Sequence, residues 1–224
     1  DGSGPLASPP SVEADTRGRF LLPARAGAVV VRVTKPGFTS IDRLAVATSD
    51  AVVTLLDARL TVVEAPRAVI TPGSGGVAAN ARGDVTLNAP AGVVAADTPV
   101  SLTALSNQGL AGRLPPGWSP VFAVDVEPAV SLSSPATLTM PVLDPLLAPG
   151  ADVALARYDA AAFAWRVVAP ARVSADGKTI TGTVEVTGQF VVVVPDAAPF
   201  TPPSPVPGGL LGGVSLPSLP STLS

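Results

Sequence analysis

The 224-residue chain has no cysteine and no histidine, and it is poor in charged (14%) and aromatic (4%) residues. Without cysteine there is no disulfide, no thiolate nucleophile and no cysteine-ligated metal. Without histidine a Ser–His–Asp triad is excluded, and so is the commonest metal ligand. These absences predict a non-enzymatic protein that uses no cofactor and no metal.

Basic residues are also scarce. Fourteen Lys and Arg stand against seventeen Asp and Glu, for a net charge of −3. The basic residues are spread singly, and Lys35 and Lys178 are the lysines. A nucleic-acid-binding surface needs clustered basic residues, so we expect no nucleic-acid partner. Hydrophobic residues make up 47%, but no run reaches the ~18 residues of a membrane span, so no transmembrane segment is predicted.

Proline and glycine are abundant instead. The 26 prolines and 21 glycines leave little room for helices. Between them lie short Val- and Thr-rich runs, and several alternate in polarity with a period of two, as in Val121–Glu127. Strands spaced by roughly 8–15 residues are typical of β-sandwiches. We predict an all-β protein of tandem Ig-like or transthyretin-like sandwiches with an extended C-terminal tail.

The predicted strands lie on both sides of a glycine-rich break at Pro72–Gly76, which we take as a domain boundary. Two turns are also predicted, at Lys35–Gly37 and at Asp176–Gly177. Whether residues 145–195 form a separate domain stays open. The predicted strands are Gly18–Leu22, Ala28–Thr34, Asp42–Ala47, Ala51–Leu56, Arg59–Val63, Arg67–Thr71, Gly83–Asn88, Val100–Leu105, Val121–Glu127, Ala136–Pro141, Val153–Tyr158, Ala164–Val168, Thr179–Val186 and Gln189–Val194.

The first unit, residues 1–72, resembles a carboxypeptidase regulatory-like domain over about residues 1–60. The matching motifs are Asp1, Gly4-Pro5-Leu6, Asp15-Thr16-Arg17-Gly18-Arg19-Phe20, Pro23-Ala24, Gly27, Val29–Val33 and Lys35-Pro36-Gly37-Phe38. The resemblance implies a small, non-catalytic β-sandwich that serves exported proteins as an accessory module. Because the chain starts inside the family's first turn, with neither an initiator methionine nor a signal sequence, we expect a processed or trimmed product whose first module lacks one edge strand.

The second unit, residues 73–195, resembles a ZU5-like domain followed by a β-rich segment. The matching motifs are Gly75-Gly76-Val77, Gly83-Asp84-Val85-Thr86-Leu87, Pro90-Ala91-Gly92-Val93, Thr98–Leu102, Pro120-Val121 and Val126-Glu127-Pro128, with Gly150–Pro195 as the following segment. Some relatives cleave themselves at a His-Phe-Ser site. The comparable Gln189-Phe190-Val191 lacks the histidine and the hydroxyl nucleophile, so the resemblance implies no self-cleavage here.

Few residues are candidates for a site. Asp125 and Glu127 share one face of a predicted strand, as a glycosidase carboxylate pair would, but the pattern favours a solvent-exposed face. Trp118, after Pro115-Pro116-Gly117, is a candidate exposed aromatic for ligand contact, whereas Trp165 is predicted to be core.

Three short motifs and the two lysines suggest chemistry but are explained by turns. Asp15–Gly18 and Ser174–Gly177 have too few carboxylates for a calcium loop. Arg82-Gly83-Asp84 is the tripeptide read by integrins, but it lies where a turn enters a strand. The two lysines are predicted to be solvated turn residues and not catalytic bases.

The composition changes after Pro195. Residues 200–207 are Pro-rich and predicted to be extended, and residues 208–224 alternate Gly, Leu, Pro and Ser, which cannot form a core alone. An extended segment can pair with the open edge of a sheet, so we expect the tail, residues 196–224, to run along a neighbouring module. The alternative is that it folds back on its own chain. Its candidate anchors are Leu210, Leu211, Val214, Leu216, Leu219 and Leu223.

These patterns predict a secreted structural or assembly protein that self-associates through its tail, as a filament subunit or with other surface proteins. The rich Ala, Val, Pro and Arg usage indicates a high-GC bacterium as the source, so the expected location is outside the cell or on the cell surface of such a bacterium. Two alternatives stay open. One is a binding module for polysaccharide or a protein partner through Trp118, and the other is an accessory region of a larger secreted enzyme.

Overall fold

The computed structural model describes residues 10–55 and 58–196, and within those ranges the chain is all-β, without an α-helix. A 3₁₀ turn spans Asn107–Gly109. In the same ranges no helix is long and apolar enough to cross a membrane. The strands are β1 Gly27–Val33, β2 Ile41–Ala47, β3 Ala68–Ile70, β4 Gly76–Ala79, β5 Thr86–Ala89, β6 Thr98–Leu105, β7 Trp118–Pro141, β8 Asp152–Asp159, β9 Ala164–Val173 and β10 Thr179–Pro195.

β1 and β2 form an antiparallel hairpin in which Gly27 is opposite Ala47 and Val33 is opposite Ile41. The predicted turn between them is confirmed, because the Phe38 N–H donates to the Lys35 carbonyl at 3.0 Å. Gly37 has the φ of +77° that this turn requires. Beyond the turn, the Thr39 N–H donates to the Thr61 carbonyl at 2.8 Å, which ties the segment after the hairpin to the hairpin's turn end.

The remaining strands form one eight-stranded antiparallel sheet whose centre is the pairing of β7 with β10. The order along the sheet is β3-β6-β7-β10-β8-β9, with β5 also paired to β7 and β4 paired to β5. β7 and β10 pair over almost their whole lengths, from Pro141 opposite Thr179 to Trp118 opposite Pro195. All other strands of this sheet attach to these two directly or through one intermediate strand.

β7 and β10 each change neighbours midway along their length. The first half of β7 pairs with β6 and the second half with β5. Correspondingly, the second half of β10 pairs with β8, and its beginning pairs with β9. The register of β10 against β7 shifts between Val184 and Gly188, and irregularities of this kind bend a strand.

One hydrophobic core collects side chains from both halves of these two strands. Because residues from both halves meet in one buried cluster, the sheet folds over on itself around that core. Its members from β7 and β10 are Phe122, Val124, Val126, Ala136, Leu138, Met140, Ile180, Val184, Phe190 and Val192.

The opposite face of the sheet is covered as well. Side chains alternate along a strand, so Ala123 and Val191 face away from the first core. They join a second buried cluster beneath the loop that carries Leu110 and Ala111. This cluster also contains Trp165, which is 5% exposed, so its predicted core position is confirmed. The sheet is therefore buried on both faces where β7 and β10 meet.

Two long strands were each predicted from the sequence as two shorter ones. Val121–Glu127 and Ala136–Pro141 are parts of the single strand β7, and the two segments predicted on either side of Thr187–Gly188 are parts of β10. A bulged strand continues through residues that resemble a turn in sequence.

Other predicted strands are absent from the first unit. Gly18–Leu22 and the described residues 51–55 form no strand, and Arg59–Val63 contributes one bridge, between Val62 and Phe38. Leu21 is 73% exposed and Val52 is 80% exposed, so neither segment has the buried face that makes a Val- or Leu-rich run stable as a strand.

The all-β class is thus shown, whereas two separate sandwiches divided near residue 72 stay a prediction. β3 was placed in the first unit by sequence, yet Ala68–Ile70 pairs with β6 and so belongs to the larger sheet. The predicted tail, from residue 197 onward, lies outside the described residues.

The connection between β3 and β4 depends on Gly75, which has a φ of +68°. A Cβ added there would lie 2.1 Å from the Ala89 carbonyl oxygen, whereas nothing lies within 4 Å of a Cβ at Gly83, with φ +74°. We expect Gly83→Ala to lower the free energy of unfolding by about 1–2 kcal/mol, from backbone strain alone. Gly75→Ala adds a backbone clash and should cost about 3 kcal/mol or more. Urea unfolding of both variants checks this, and equal losses would contradict the predicted clash.

Candidate functional site

The hairpin is attached to the large sheet by a buried carboxylate, Asp42. Its side chain is 5% exposed. The Tyr158 hydroxyl of β8 donates to Asp42 Oδ2 at 2.8 Å. From β1, Arg32 binds the same carboxylate through two nitrogens, at 2.8 Å and 2.9 Å. Bidentate guanidinium–carboxylate contacts fix the relative orientation of the two side chains, so Asp42 sets the hairpin's position against β8.

Tyr158 is held in turn by its surroundings. Its ring lies 5.3 Å from that of Trp165 at an angle of 59°, and the Trp165 indole N–H donates to the Gly112 carbonyl at 2.9 Å. Gly112 lies so close that an added Cβ would be 2.6 Å from the Tyr158 ring. Burial, and the hydrogen bond to the Asp42 carboxylate, raise the pKa of the Tyr158 hydroxyl, so it remains a donor.

The next residue along β2, Arg43, points to the other face of the hairpin and is 7% exposed. Its guanidinium donates to the carbonyls of Leu110 at 3.1 Å and Gln108 at 3.2 Å. The Asp42 N–H donates to the carbonyl of Ala111. Desolvation, with a smaller contribution from Arg113, lowers the pKa of Arg43. Adjacent charged residues on opposite faces of one strand therefore bind two separate parts of the larger sheet.

Three neighbouring polar side chains lie buried on the face of the large sheet that also carries the second cluster. Thr103, Asp125 and Gln189 are neighbours across β6, β7 and β10, and all are less than 9% exposed. The Thr103 hydroxyl accepts from the Glu64 N–H at 3.0 Å, and the Gln189 side-chain oxygen accepts from the Ala111 N–H at 2.5 Å. These hydrogen bonds hold two covering segments over the sheet.

Asp125 corrects the sequence interpretation. The alternation predicted a solvent-exposed face for Asp125 and Glu127, but Asp125 is 8% exposed. The residues after β2 and β6 cover this face, which the pattern of one strand does not show. Burial and then the Glu127 carboxylate raise the pKa of Asp125 to about 7.

Trp118 begins β7 and is half-buried against the second cluster. It lines a shallow groove of about 140 Å³, whose other walls are glycine, alanine, valine and proline residues. Among the described residues that line the groove, none has a charged or hydrogen-bonding side chain apart from the Trp118 indole itself. Trp118 as a ligand contact stays a prediction, and the tail leucines lie outside the described residues.

In two of the short motifs, an aspartate side chain binds groups of its own turn. The Asp84 carboxylate pairs with Arg82 and accepts from the Asn80 amide at 2.7 Å. Asp15 accepts from the backbone N–H of Arg17 and of Arg19, both at 2.9 Å. Hydrogen bonds to the charged form lower the pKa of Asp15. For Asp84, burial acts to raise the pKa, but the hydrogen bonds from Arg82 and Asn80 and the Arg82 charge together lower it. In residues 10–55 and 58–196, no group of three His, Cys, Asp or Glu side chains is placed to hold a metal ion.

One face of the hairpin is exposed and apolar. It carries what we call the apolar strip: Val30, Leu44 and Val46, which are 36%, 66% and 62% exposed. Arg32, at the inner end of the same face, lies 5.6 Å from the ring centre of Phe163. Phe163 is half-exposed and has a φ of +52°, so an aromatic ring continues this surface onto the β8–β9 turn.

Sequence reasoning missed Asp42, Arg43 and Tyr158. The adjacent charges of Asp42 and Arg43 were a signal for such contacts. Neighbouring side chains of a strand point to opposite faces, so if either face of the strand is packed, one of the two charges is buried. Together these observations define the protein as an antiparallel all-β protein with a docked hairpin. Comparison with protein-family models and with curated proteins gives no match.

Tyr158→Phe tests the attachment of the hairpin, because it deletes only the hydroxyl that donates to Asp42. We expect the free energy of unfolding to fall by about 1–3 kcal/mol, since a buried carboxylate loses a partner. Combined in a double-mutant cycle with Asp42→Ala, which removes the acceptor, the two changes should couple by about 1 kcal/mol or more. Chemical denaturation measures both. Strictly additive losses would show that the hydrogen bond contributes nothing.

Asp125 predicts a pH dependence of stability. Its pKa of about 7 in the folded state exceeds its ordinary value of 3.8, so the folded protein binds this proton more tightly than the unfolded chain does. Its contribution is complete below pH 4 and is lost as the pH rises through 7. Between pH 5 and pH 8 the loss should be on the order of 3 kcal/mol.

Asp125→Asn should remove this dependence, and Asp97→Asn, at an exposed position, should not. Urea unfolding at several pH values distinguishes the variants. An unchanged slope in Asp125→Asn would mean that the carboxyl gains solvent or a partner when it ionises.

Proposed function

We propose that the chain is a non-enzymatic structural subunit that acts outside the cell or on its surface and self-associates. The observation that carries this proposal is the incomplete sheet of the hairpin. Among the described residues, β1 and β2 form a two-stranded sheet with no third strand. Two-stranded sheets are marginally stable alone, and open edges accept further strands.

The apolar strip supports the same proposal. Val30 and Leu44 are opposite each other, and Val46 follows on the same face, so the three exposed side chains are contiguous. Contiguous apolar surface on a folded protein is typical of an interaction site. A neighbouring copy can cover this strip with apolar side chains of its own.

We assign that role to the C-terminal tail. The described chain ends at Asp196, whose N–H donates to the Gly117 carbonyl at 2.9 Å and whose carboxylate accepts from Ser119 at 2.6 Å. At about 3.3 Å per extended residue, residues 197–224 span up to ~90 Å. The proline-free stretch Gly208–Leu216 contains four of the predicted anchors, and in our proposal these cover the apolar strip of another copy.

Each copy then binds a second copy through its own tail and is bound at its apolar strip by the tail of a third. Contacts of this head-to-tail kind extend without limit unless the rotation between copies closes a ring. The polysaccharide alternative gains no support from the groove at Trp118, because its other walls are apolar. The structural role is therefore the function that the geometry favours.

The test is assembly of the full chain compared with a chain ending at Pro195. We expect the full chain to form species larger than a dimer, and the shortened chain not to, in sedimentation velocity and negative-stain electron microscopy. Leu211→Asp should act like the truncation because it places a charge in the apolar contact. Ser215→Asp adds the same charge at a polar position of the same stretch and should assemble normally. Identical sedimentation of all four proteins would overturn the tail's role.

A further inference from the structure

The outer edge of β1 has a definite set of outward-pointing backbone groups. The Asp42 N–H donates to the Ala111 carbonyl, so it points away from β1. Asp42 and its partner Arg32 therefore form a non-hydrogen-bonded pair of the antiparallel hairpin. Such pairs alternate, so Val30–Leu44 and Ala28–Val46 are of the same kind. The N–H and C=O groups of Ala28, Val30 and Arg32 consequently point outward from β1, and no backbone bond to another described residue uses them.

These outward groups are symmetric about Val30. If a second β1 approaches antiparallel with Val30 opposite Val30, then Ala28 of each copy is opposite Arg32 of the other. Every outward N–H then meets an outward C=O, giving six hydrogen bonds. Sliding the strands by two residues leaves part of these groups unpaired, and sliding by one residue places inward groups opposite outward ones. One register therefore satisfies the edge completely.

The side chains also suit this pairing. Strand β1 reads Gly-Ala-Val-Val-Val-Arg-Val, and its one charge, Arg32, would be opposite Ala28, so no like charges meet. The guanidinium is held by its own Asp42 and by the ring of Phe163. Edge strands that avoid association usually carry lysine, proline or a free inward charge, and β1 has none of these. Valine-rich composition further favours strand pairing.

We infer that β1 is a self-recognition edge, where two copies of this chain join their hairpins into one four-stranded antiparallel sheet about a twofold axis at Val30. This contact goes beyond the proposed function, because it uses residues of the hairpin only and needs no tail. It closes on itself as a dimer, whereas the tail contact extends. The apolar strips of the two copies become continuous across the axis through their Val30 side chains.

Proline substitution tests the edge without breaking the hairpin. Val30→Pro removes an outward N–H and places a ring on the twofold axis, and proline is tolerated where the N–H of an edge strand faces outward. Leu44→Pro makes the same change at the opposite residue of the pair, on the far edge of β2. We expect Val30→Pro to raise the dimer dissociation constant at least ~100-fold, because both copies lose bonds at the axis. Leu44→Pro should change it less than about threefold.

These constants are measured by sedimentation equilibrium in full chains that also carry Leu211→Asp, in which the tail contact is removed, and amide hydrogen exchange of β1 and β2 shows whether each hairpin stays folded. A monomeric Leu211→Asp chain at high micromolar concentration, or equal dimerisation of the two folded proline variants, overturns the inference.

A second measurement holds even if a proline variant unfolds. Because the chain has no cysteine, Val30→Cys introduces the sole thiol. Paired Cα atoms at the axis would lie about 5.5 Å apart, within disulfide range. Leu44→Cys is the control, since Leu44 is more exposed than Val30 but would lie three strand spacings, or ~14 Å, from its copy.

We expect mild oxidation of the full chain to crosslink Val30→Cys at least ten times faster than Leu44→Cys. Equal rates would indicate random collision and overturn the inference. Absence of the crosslink together with tail-dependent assembly would mean that another segment occupies β1, so the inference would fail while the proposed function stands.

Discussion

The pairing of β7 with β10 is the constraint on which the other strands depend. These two strands run antiparallel from Trp118 opposite Pro195 to Pro141 opposite Thr179. In each strand, one half packs on one side of the core and the other half packs on the opposite side. Since β5, β6, β8 and β9 pair directly with one of them, a change in their register would displace every attached strand. A one-residue slip would also exchange the side chains of the two buried faces.

Burial of both sheet faces explains why polar groups lie inside. The outer face is covered by irregular segments, and their backbone groups need partners once water is removed. Gln189 and Thr103 supply such partners from the sheet, and Arg43 supplies several from the hairpin. Hydrogen bonds of this kind have directional requirements, so they select one placement of the covering segments where apolar contacts alone would allow several.

The sequence predicted the strand character of the chain better than its connectivity. The hairpin β1–β2 was found because Lys35-Pro36-Gly37 specifies a turn between two Val-rich runs, and Trp165 was placed in the core correctly. β7 was divided in two because Pro128 and Pro135 interrupt its pattern, although the strand continues through them. Asp125 was misjudged because alternation describes one strand, whereas its burial is caused by segments distant in sequence. The docking of the hairpin likewise depends on Asp42 and Tyr158, which are far apart in the chain.

The position of β10 in the chain has a consequence for biosynthesis. β10 is the last strand of the described residues, yet it lies between β7 and β8 in the sheet. While the polypeptide emerges from the ribosome, β5, β6 and β7 can associate, but the edge of β7 stays uncovered until Thr179–Pro195 is synthesised. Contacts that join distant parts of a chain form slowly, and uncovered edges invite aggregation. The nascent chain therefore has its most vulnerable interval between completion of β7 and release of β10, when a chaperone would be of most use.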